Sequence, residues 1–259
     1  MSVSHSAVAC LALIVAPLLA AATDSVPPPR VLVFSRTLGY RHDSISNGIA
    51  AIRDLGVQHR FTVEATEDAG AFTATNLIRY QAVVLLSVTG DVWDSAGQTA
   101  LQEYIEGGGG VAAIHGAVFG PLACEDKWAW YGELFCCAFT NHCAVQSATV
   151  ELADSTHPST AGLPPHWRRT DEWYNFSGTP RGCARILATV DESTYQGGTM
   201  GNDHPIAWCR PVGKGRLWYT AMGHTGSSYA EPLFLRHLYG GIQYALNAPV
   251  EPAAAKPNP

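Results

Sequence analysis

Three short runs of unbroken apolar residues constrain this chain more than anything else in it: residues 31–35 (VLVFS), 82–88 (AVVLLSV) and 111–114 (VAAI). A strand with water on one face alternates polar and apolar residues, whereas a strand covered on both faces does not. Amphipathic stretches separate these runs. The first has a cap at Asp43 or Ser44, a stripe at Ile45, Ile49 and Ile52, and an expected stop at Gly56. The second begins at Asp94-Ser95, continues through Leu101 and Ile105, and ends in the run Gly107-Gly108-Gly109-Gly110. Residues 61–65 form a further strand. Alternation of this kind predicts an α/β fold with a doubly wound, mostly parallel sheet and right-handed crossovers.

Beyond about residue 145 the pattern becomes β-rich. Strands are expected at 148–152, 184–190, 206–210 and 216–220, the last two joined as a hairpin across residues 211–215. A closing helix over 233–246 carries Leu235, Leu238, Ile242 and Leu246 on one stripe. The predicted architecture is therefore one domain over residues 31–247, with a β-rich C-terminal extension and no internal repeat. Both ends lie outside it. Residues 8–19 are apolar and run into Ala20-Ala21-Ala22, so residues 1–22 read as a cleaved signal peptide, although residues 1–9 contain no Lys or Arg. A secreted or periplasmic location follows. The apolar run is too short for a stable transmembrane span. Residues 23–30 form a spacer containing Pro27-Pro28-Pro29, and residues 248–259 are an Ala- and Pro-rich tail expected to be disordered.

The chain is 47% hydrophobic and 15% charged, enough for a substantial core. Its net charge of −6 and the lack of any Lys/Arg cluster argue against a nucleic-acid partner. The 7 Trp and 10 Tyr could provide platforms for sugar faces or ordinary core packing. Cleavage after residue 22 would leave Cys124, Cys136, Cys137, Cys143, Cys183 and Cys209. The first four crowd one segment, so a local bridge is expected there in an oxidising compartment. Without a C-x-x-C pair, a thiolate zinc site is not expected.

Ligands of open parallel sheets bind outside the carboxyl ends of the strands. Arg36, Tyr40, Arg41, His42 and Asp43 follow the first strand, and Ser87, Thr89, Gly90 and Asp91 follow the third. His115 follows the fourth, and Gly223-His224-Thr225 follow the last hairpin strand. Three histidines at three strand ends point to one site. His115 ends its strand among small residues, where a hydrolase or glutaminase would carry Ser or Cys. Imidazole there suits a general base or a metal ligand and does not support amidotransfer. Within Asp171-Glu172-Trp173-Tyr174, an extended backbone would put Glu172 and Tyr174 on one face and Asp171 on the other. Either acid could be a general base, a metal ligand or a surface ion-pair partner. His204, in Asp203-His204-Pro205, reaches the same rim or caps a turn. His115, His142, His204 and His224, with Asp171 or Glu172, are the candidate ligands for zinc or another divalent ion, though no local His spacing vouches for one. His157 and His166 read as loop residues and His237 as a solvated helix residue. The Asn175-Phe176-Ser177 sequon lies within the acidic-aromatic motif and is not expected to be modified.

The strings YRHDSI (40–45), LLSVTGDVWD (85–94), GGGGVAAIHGA (107–117), WYGELF (130–135), TDEWYNF (170–176), LATVDESTYQGGTMGNDHPIAWC (187–209), WYTAMGHT (218–225) and YAEPLFLRHLYGGIQYAL (229–246) together resemble the ThuA-like, trehalose-utilisation family. The resemblance covers nearly all of residues 31–247 in order. It implies a fold like the class I glutamine amidotransferases without their Cys-His-Glu machinery, and an association with disaccharide and keto-sugar metabolism. It places family-typical positions at His42, His115, Asp171, Glu172, Tyr174, His204 and His224. The chain departs from the family at Asn141-His142-Cys143, where Gly-His-Pro is usual, so the histidine keeps its place and loses its rigid neighbour. The expected function is His/carboxylate acid–base chemistry on a small carbohydrate, with His115, His224, Glu172 and Asp171 as reacting groups. Arg36, Tyr40, Arg41, His42, Asp91, Tyr174 and His204 would contact substrate. The alternatives are a non-catalytic carbohydrate-binding module and a divalent-metal-dependent hydrolase.

Overall fold

The computed structural model describes residues 27–119 and 128–247, with Met1 and Val3. The expected signal peptide apart from Met1 and Val3, residues 23–26 of the spacer, the C-terminal tail and Cys124 lie outside the described residues. Among the described residues no helix is long and apolar enough to cross a membrane.

Five strands run parallel: β1 (Arg30–Phe34), β2 (Thr62–Thr66), β3 (Ala82–Leu86), β4 (Gly110–Ile114) and, out of sequence, β11 (Gly215–Thr220). Every residue of β3 and β4 is buried, as unbroken apolar runs require. Helix α1 (Ile45–His59) connects β1 to β2, short α2 (Ala74–Leu77) precedes β3, and α3 (Ser95–Glu106) connects β3 to β4. Asp94 caps α3 by accepting from the Gly97 amide at 2.8 Å. Gly56 does not stop α1. The helix continues to His59 and ends at Arg60 in the left-handed conformation, while Gly56 serves a close crossing, since a Cβ there would sit 2.7 Å from the Phe61 carbonyl. Ser44 occupies the N-cap position without a capping bond; its hydroxyl donates to the Gly223 carbonyl at 3.2 Å.

The remaining elements are α4 (Ala129–Phe135), β5 (Phe139–His142), β6 (Gln146–Leu152), β7 (His166–Asp171), β8 (Tyr174–Phe176), β9 (Arg185–Asp191), β10 (Pro205–Val212) and α5 (Pro232–Ala245). The β-rich extension is continuous with the parallel sheet, and the nine strands take the order β2-β1-β3-β4-β11-β10-β9-β6-β7. The hairpin β10–β11 is the join: β11 lies parallel to β4 and antiparallel to β10. Its turn is tighter than expected, since Val212 already pairs with Gly215. β5 and β8 form a separate antiparallel ribbon. Helix α5 packs on β11, β4 and α1.

Two histidine expectations are corrected. His237 is buried, with Nδ1 2.9 Å from the Ser159 carbonyl and Nε2 3.2 Å from Thr220 Oγ1, because α5 turns that face onto the sheet. His166 opens β7 and is exposed, so it is a strand residue. The local bridge is corrected as well. Cys136 pairs with Cys183, 47 residues away, while Cys137, Cys143 and Cys209 are free among the described residues.

Candidate functional site

The parallel strands aim three histidines at one point. The loops leaving β1 and β3 are zipped together: the Leu38 amide donates to the Thr89 carbonyl at 2.8 Å, and Thr89 Oγ1 donates to the Tyr40 carbonyl at 2.8 Å. This seats His42 as a buried side chain. His115 follows β4 directly with φ 52°, a left-handed backbone that costs a non-glycine residue about 1–3 kcal/mol. Gly116 beside it leaves room for His42, since a Cβ there would meet the His42 ring at 3.1 Å. His115 Nδ1 lies 2.6 Å from the Ala221 carbonyl, which can only accept, so Nδ1 carries the proton and Nε2 offers a lone pair. His224 sits in the turn after β11, where Gly223 takes φ 110°.

The antiparallel side supplies the carboxylate. Glu172 Oε2 lies 3.5 Å from His115 Nε2 and 3.2 Å from His224 Nδ1, while Oε1 is 2.9 Å from Nδ1 of His142. The Tyr174 hydroxyl donates to His115 Nε2 at 2.8 Å. Glu172 and Tyr174 thus share a face. Asp171 takes the other one and works from beneath: it is fully buried, paired with Arg169, and accepts the amides of Gly223 at 2.8 Å and His224 at 3.0 Å. Its carboxylate fixes the turn that carries His224 and does not face the pocket.

The pocket measures about 440 Å³. Tyr40, Phe119 and Tyr174 form apolar walls, and His42, His142, Glu172 and His224 supply the polar lining. Several other sequence candidates fall elsewhere. Arg41 forms a two-pronged pair with Glu67 at 3.2 and 2.7 Å, Arg36 reaches toward the Glu67 carbonyl, and neither lines the pocket. Asp91 faces Gln98 at 3.4 Å. His204 is fully buried under the site, with Nε2 2.7 Å from the Tyr174 carbonyl and Nδ1 2.8 Å from Glu192 Oε1. It supports Tyr174 and is remote from the histidine cluster, so it is no member of a common ligand set. His142 does reach Glu172 despite its altered neighbour. Phe119 and Gly39 are lining residues that sequence reasoning missed; the signal for Phe119 was its position four residues beyond His115, and for Gly39 its place beside Tyr40.

The electrostatics set the protonation states. Burial, helped by neighbouring His115 and His224, pushes the His42 pKa down to about 3, so its ring is neutral. Burial opposes ionisation of Glu172, but the neighbouring His115 and His224 imidazoles outweigh it and hold the carboxyl well below its usual range. The hydrogen bond to Glu172 raises the His224 pKa against the effect of burial. Burial keeps Tyr174 a phenol.

The same groups fit a divalent cation. Donor atoms of His42, His115, Glu172 and His224 lie within 4.8 Å of one another. Three of them form a triangle with edges of 3.1, 3.2 and 3.5 Å. Zinc-to-N/O bonds of about 2.0–2.1 Å in tetrahedral array place donors about 3.3 Å apart. His42 Nδ1 is buried with no hydrogen-bond partner among the described residues. The Ala221 carbonyl holds the far side of the His115 ring, a frequent arrangement behind metal-bound imidazoles.

The sequence model of one family, described as ThuA (trehalose utilisation), matches residues 30–245. The chain belongs to the ThuA family. The ThuA fold recurs in a ThuA-like protein of Bacteroides uniformis, with TM-score 0.73, 20% identity, and 87% of this chain and 94% of that one covered. A ThuA-like protein of Parabacteroides merdae gives TM-score 0.70 at 21% identity, covering 87% and 93%. A β-galactosidase of Bacillus circulans shares the fold at TM-score 0.57 and 11% identity, over 86% of this ThuA chain and 32% of its own. No curated protein matches the chain.

Proposed function

We propose that this ThuA-family protein is an exported enzyme that transforms a small carbohydrate, a disaccharide or keto-sugar, by acid–base chemistry, assisted by a divalent ion such as zinc. The observation that carries this reading is the donor triangle of His115 Nε2, His224 Nδ1 and Glu172 Oε2, already at the spacing of a coordination polyhedron on the floor of a sugar-sized pocket. His42, His115, His224 and Glu172 would hold the ion. An ion bound there would supply Lewis acidity to a sugar oxygen.

The chain's own residues do the rest. Tyr40 and Phe119 offer rings for an apolar sugar face. The phenol of Tyr174 can donate to a substrate oxygen. His142, exposed at the mouth and oriented by its contact with Glu172, can pass a proton between a substrate oxygen and solvent. An oxygen or sulfur nucleophile at the His115 position is lacking, which argues against glutamine amidotransfer.

The test is elemental analysis of purified protein, with a screen of disaccharides and their keto forms for binding and product. About one divalent ion per chain and turnover that falls on chelation are expected. Sugar affinity without turnover would make the protein a binding module instead, and the absence of both affinity and turnover would sink the carbohydrate reading. Export is tested separately: the mature protein should begin near Thr23, and mass spectrometry finding residues 1–22 intact on secreted protein would refute cleavage.

A further inference from the structure

The Cys136–Cys183 bond lies outside the pocket and is set up for opening. Cys183 is exposed and Cys136 half-buried, at a shallow cleft that also includes Gly132, Glu133 and Ala138. Arg210 donates to both sulfurs, at 3.2 Å to Cys136 Sγ and 3.1 Å to Cys183 Sγ, while its guanidinium is held by the Glu133 carbonyl at 2.6 Å. A neutral disulfide gains little from a cation. A thiolate gains much, so the arginine favours the state reached when the bond opens. The adjacent Cys137 is no competitor, because burial pushes its thiol up to about 12.

The bond also has a mechanical place. It ties the root of the β5–β8 ribbon, whose far end pairs His142 with Tyr174. At the root itself the two strands are held by the Ser177 amide donating to the Ala138 carbonyl, 2.7 Å, and the Ala138 amide donating to Ser177 Oγ, 3.1 Å, next to the Phe139–Phe176 pair.

We propose that Cys136–Cys183 is a reducible clip, opened by thiol–disulfide exchange with an external dithiol, and that opening it loosens the strap carrying His142. The attacking thiolate bonds to the exposed Cys183 Sγ. The sulfur–sulfur bond breaks, and Cys136 leaves as a thiolate beside Arg210. The second thiol of the reductant, as its thiolate, then displaces Cys183, giving an oxidised cyclic disulfide and a reduced protein; two electrons pass and the protons go to solvent. The exchange is independent of the proposed function, and only its consequence concerns the same pocket.

Full-length oxidised protein treated with dithiothreitol, alkylated and mapped by mass spectrometry tests the proposal without using sugar or metal. Cys136 and Cys183 should become alkylated while circular dichroism remains that of the folded protein. Opening should slow about tenfold in Arg210→Gln, with the thiolate no longer stabilised, and Arg210→Lys should stay near the parent rate. Cys143, half-buried at the end of β5 with its thiol 3.7 Å from the Trp173 carbonyl, reports on the strap. Its alkylation should quicken on reduction, and equally in the Cys136→Ser/Cys183→Ser double variant without reductant. A bond that resists dithiol until the protein unfolds, an Arg210→Gln protein opening as fast as the parent, or a Cys143 indifferent to opening would each overturn the proposal.

Discussion

The two halves of the nine-stranded sheet reach the same pocket by different means. In the parallel half, His42, His115 and His224 come after β1, β4 and β11, and the ends of buried strands aim them. In the antiparallel half, edge strand β7 alternates exposed and buried residues, but its inward positions are Trp167, Arg169 and Asp171. There the support is a polar network. Arg169 pairs with Asp171 and with Glu231 at 3.0 Å, and Asp171 holds the turn of His224. One half relies on apolar burial, which tolerates substitution of similar volume. The other relies on buried charges, each of which needs its partner.

The sharpest way to break this contrast is to remove one reacting group from each half. His115→Ala and Glu172→Gln should each lower turnover about 10²–10⁴-fold and reduce bound metal. The double variant should be little worse than either single, because the groups act as one unit. Steady-state kinetics with metal analysis decides it, and additive losses would mean two separate functions.

Next comes the network. Asp171→Ala leaves the buried Arg169 charge with Glu231 as its one remaining carboxylate partner among the described residues and should cost about 3–5 kcal/mol in urea unfolding. Replacing both members by apolar residues of similar volume should cost less than the single change. If Asp171→Ala is as mild as a surface substitution, the antiparallel half is not held as described.

A smaller effect sharpens the contrast between pocket and buried histidines. Burial lowers the pKa of His157 to about 4 and of His237 to about 3. Both fold neutral, while the unfolded chain binds their protons below about pH 6.5. Their stabilisation is therefore complete above that pH and lost as pH falls, by up to about 1.4 kcal/mol per unit for each residue. His224, with its raised pKa, contributes in the opposite direction. Urea midpoints compared at pH 7 and pH 5 should fall, and His237→Gln should flatten the slope.

The smallest effect is expected at Arg41. Its pair with Glu67 is half exposed on both sides, so Arg41→Ala should change stability by less than about 1 kcal/mol and leave turnover unaltered. A large loss of activity would return Arg41 to the pocket.

Much of the parallel half was legible, because unbroken runs such as AVVLLSV admit few other readings and strand ends announce themselves. Strand β7 was not legible. Its inward Arg169 looks like a surface residue, and Asp171 reads as a reacting group, until each is seen to neutralise the other. His237 misled for the same reason: a histidine beside an arginine on a helix reads as solvated, and only Ser159 and Thr220 reveal where its hydrogen bonds go.

Local pattern by itself determined the α/β class, the strand ends at His115 and His224, and the shared face of Glu172 and Tyr174, since periods of two and 3.6 residues are properties of the backbone. Tertiary structure alone decided that β11 inserts beside β4, that Asp171 works from beneath, that Arg41 turns to Glu67, and that Cys136 finds Cys183. Each of these depends on which distant segments come within a few ångströms. Charge pairing, desolvation and disulfide geometry act over that distance in space, and separation along the chain carries no record of it.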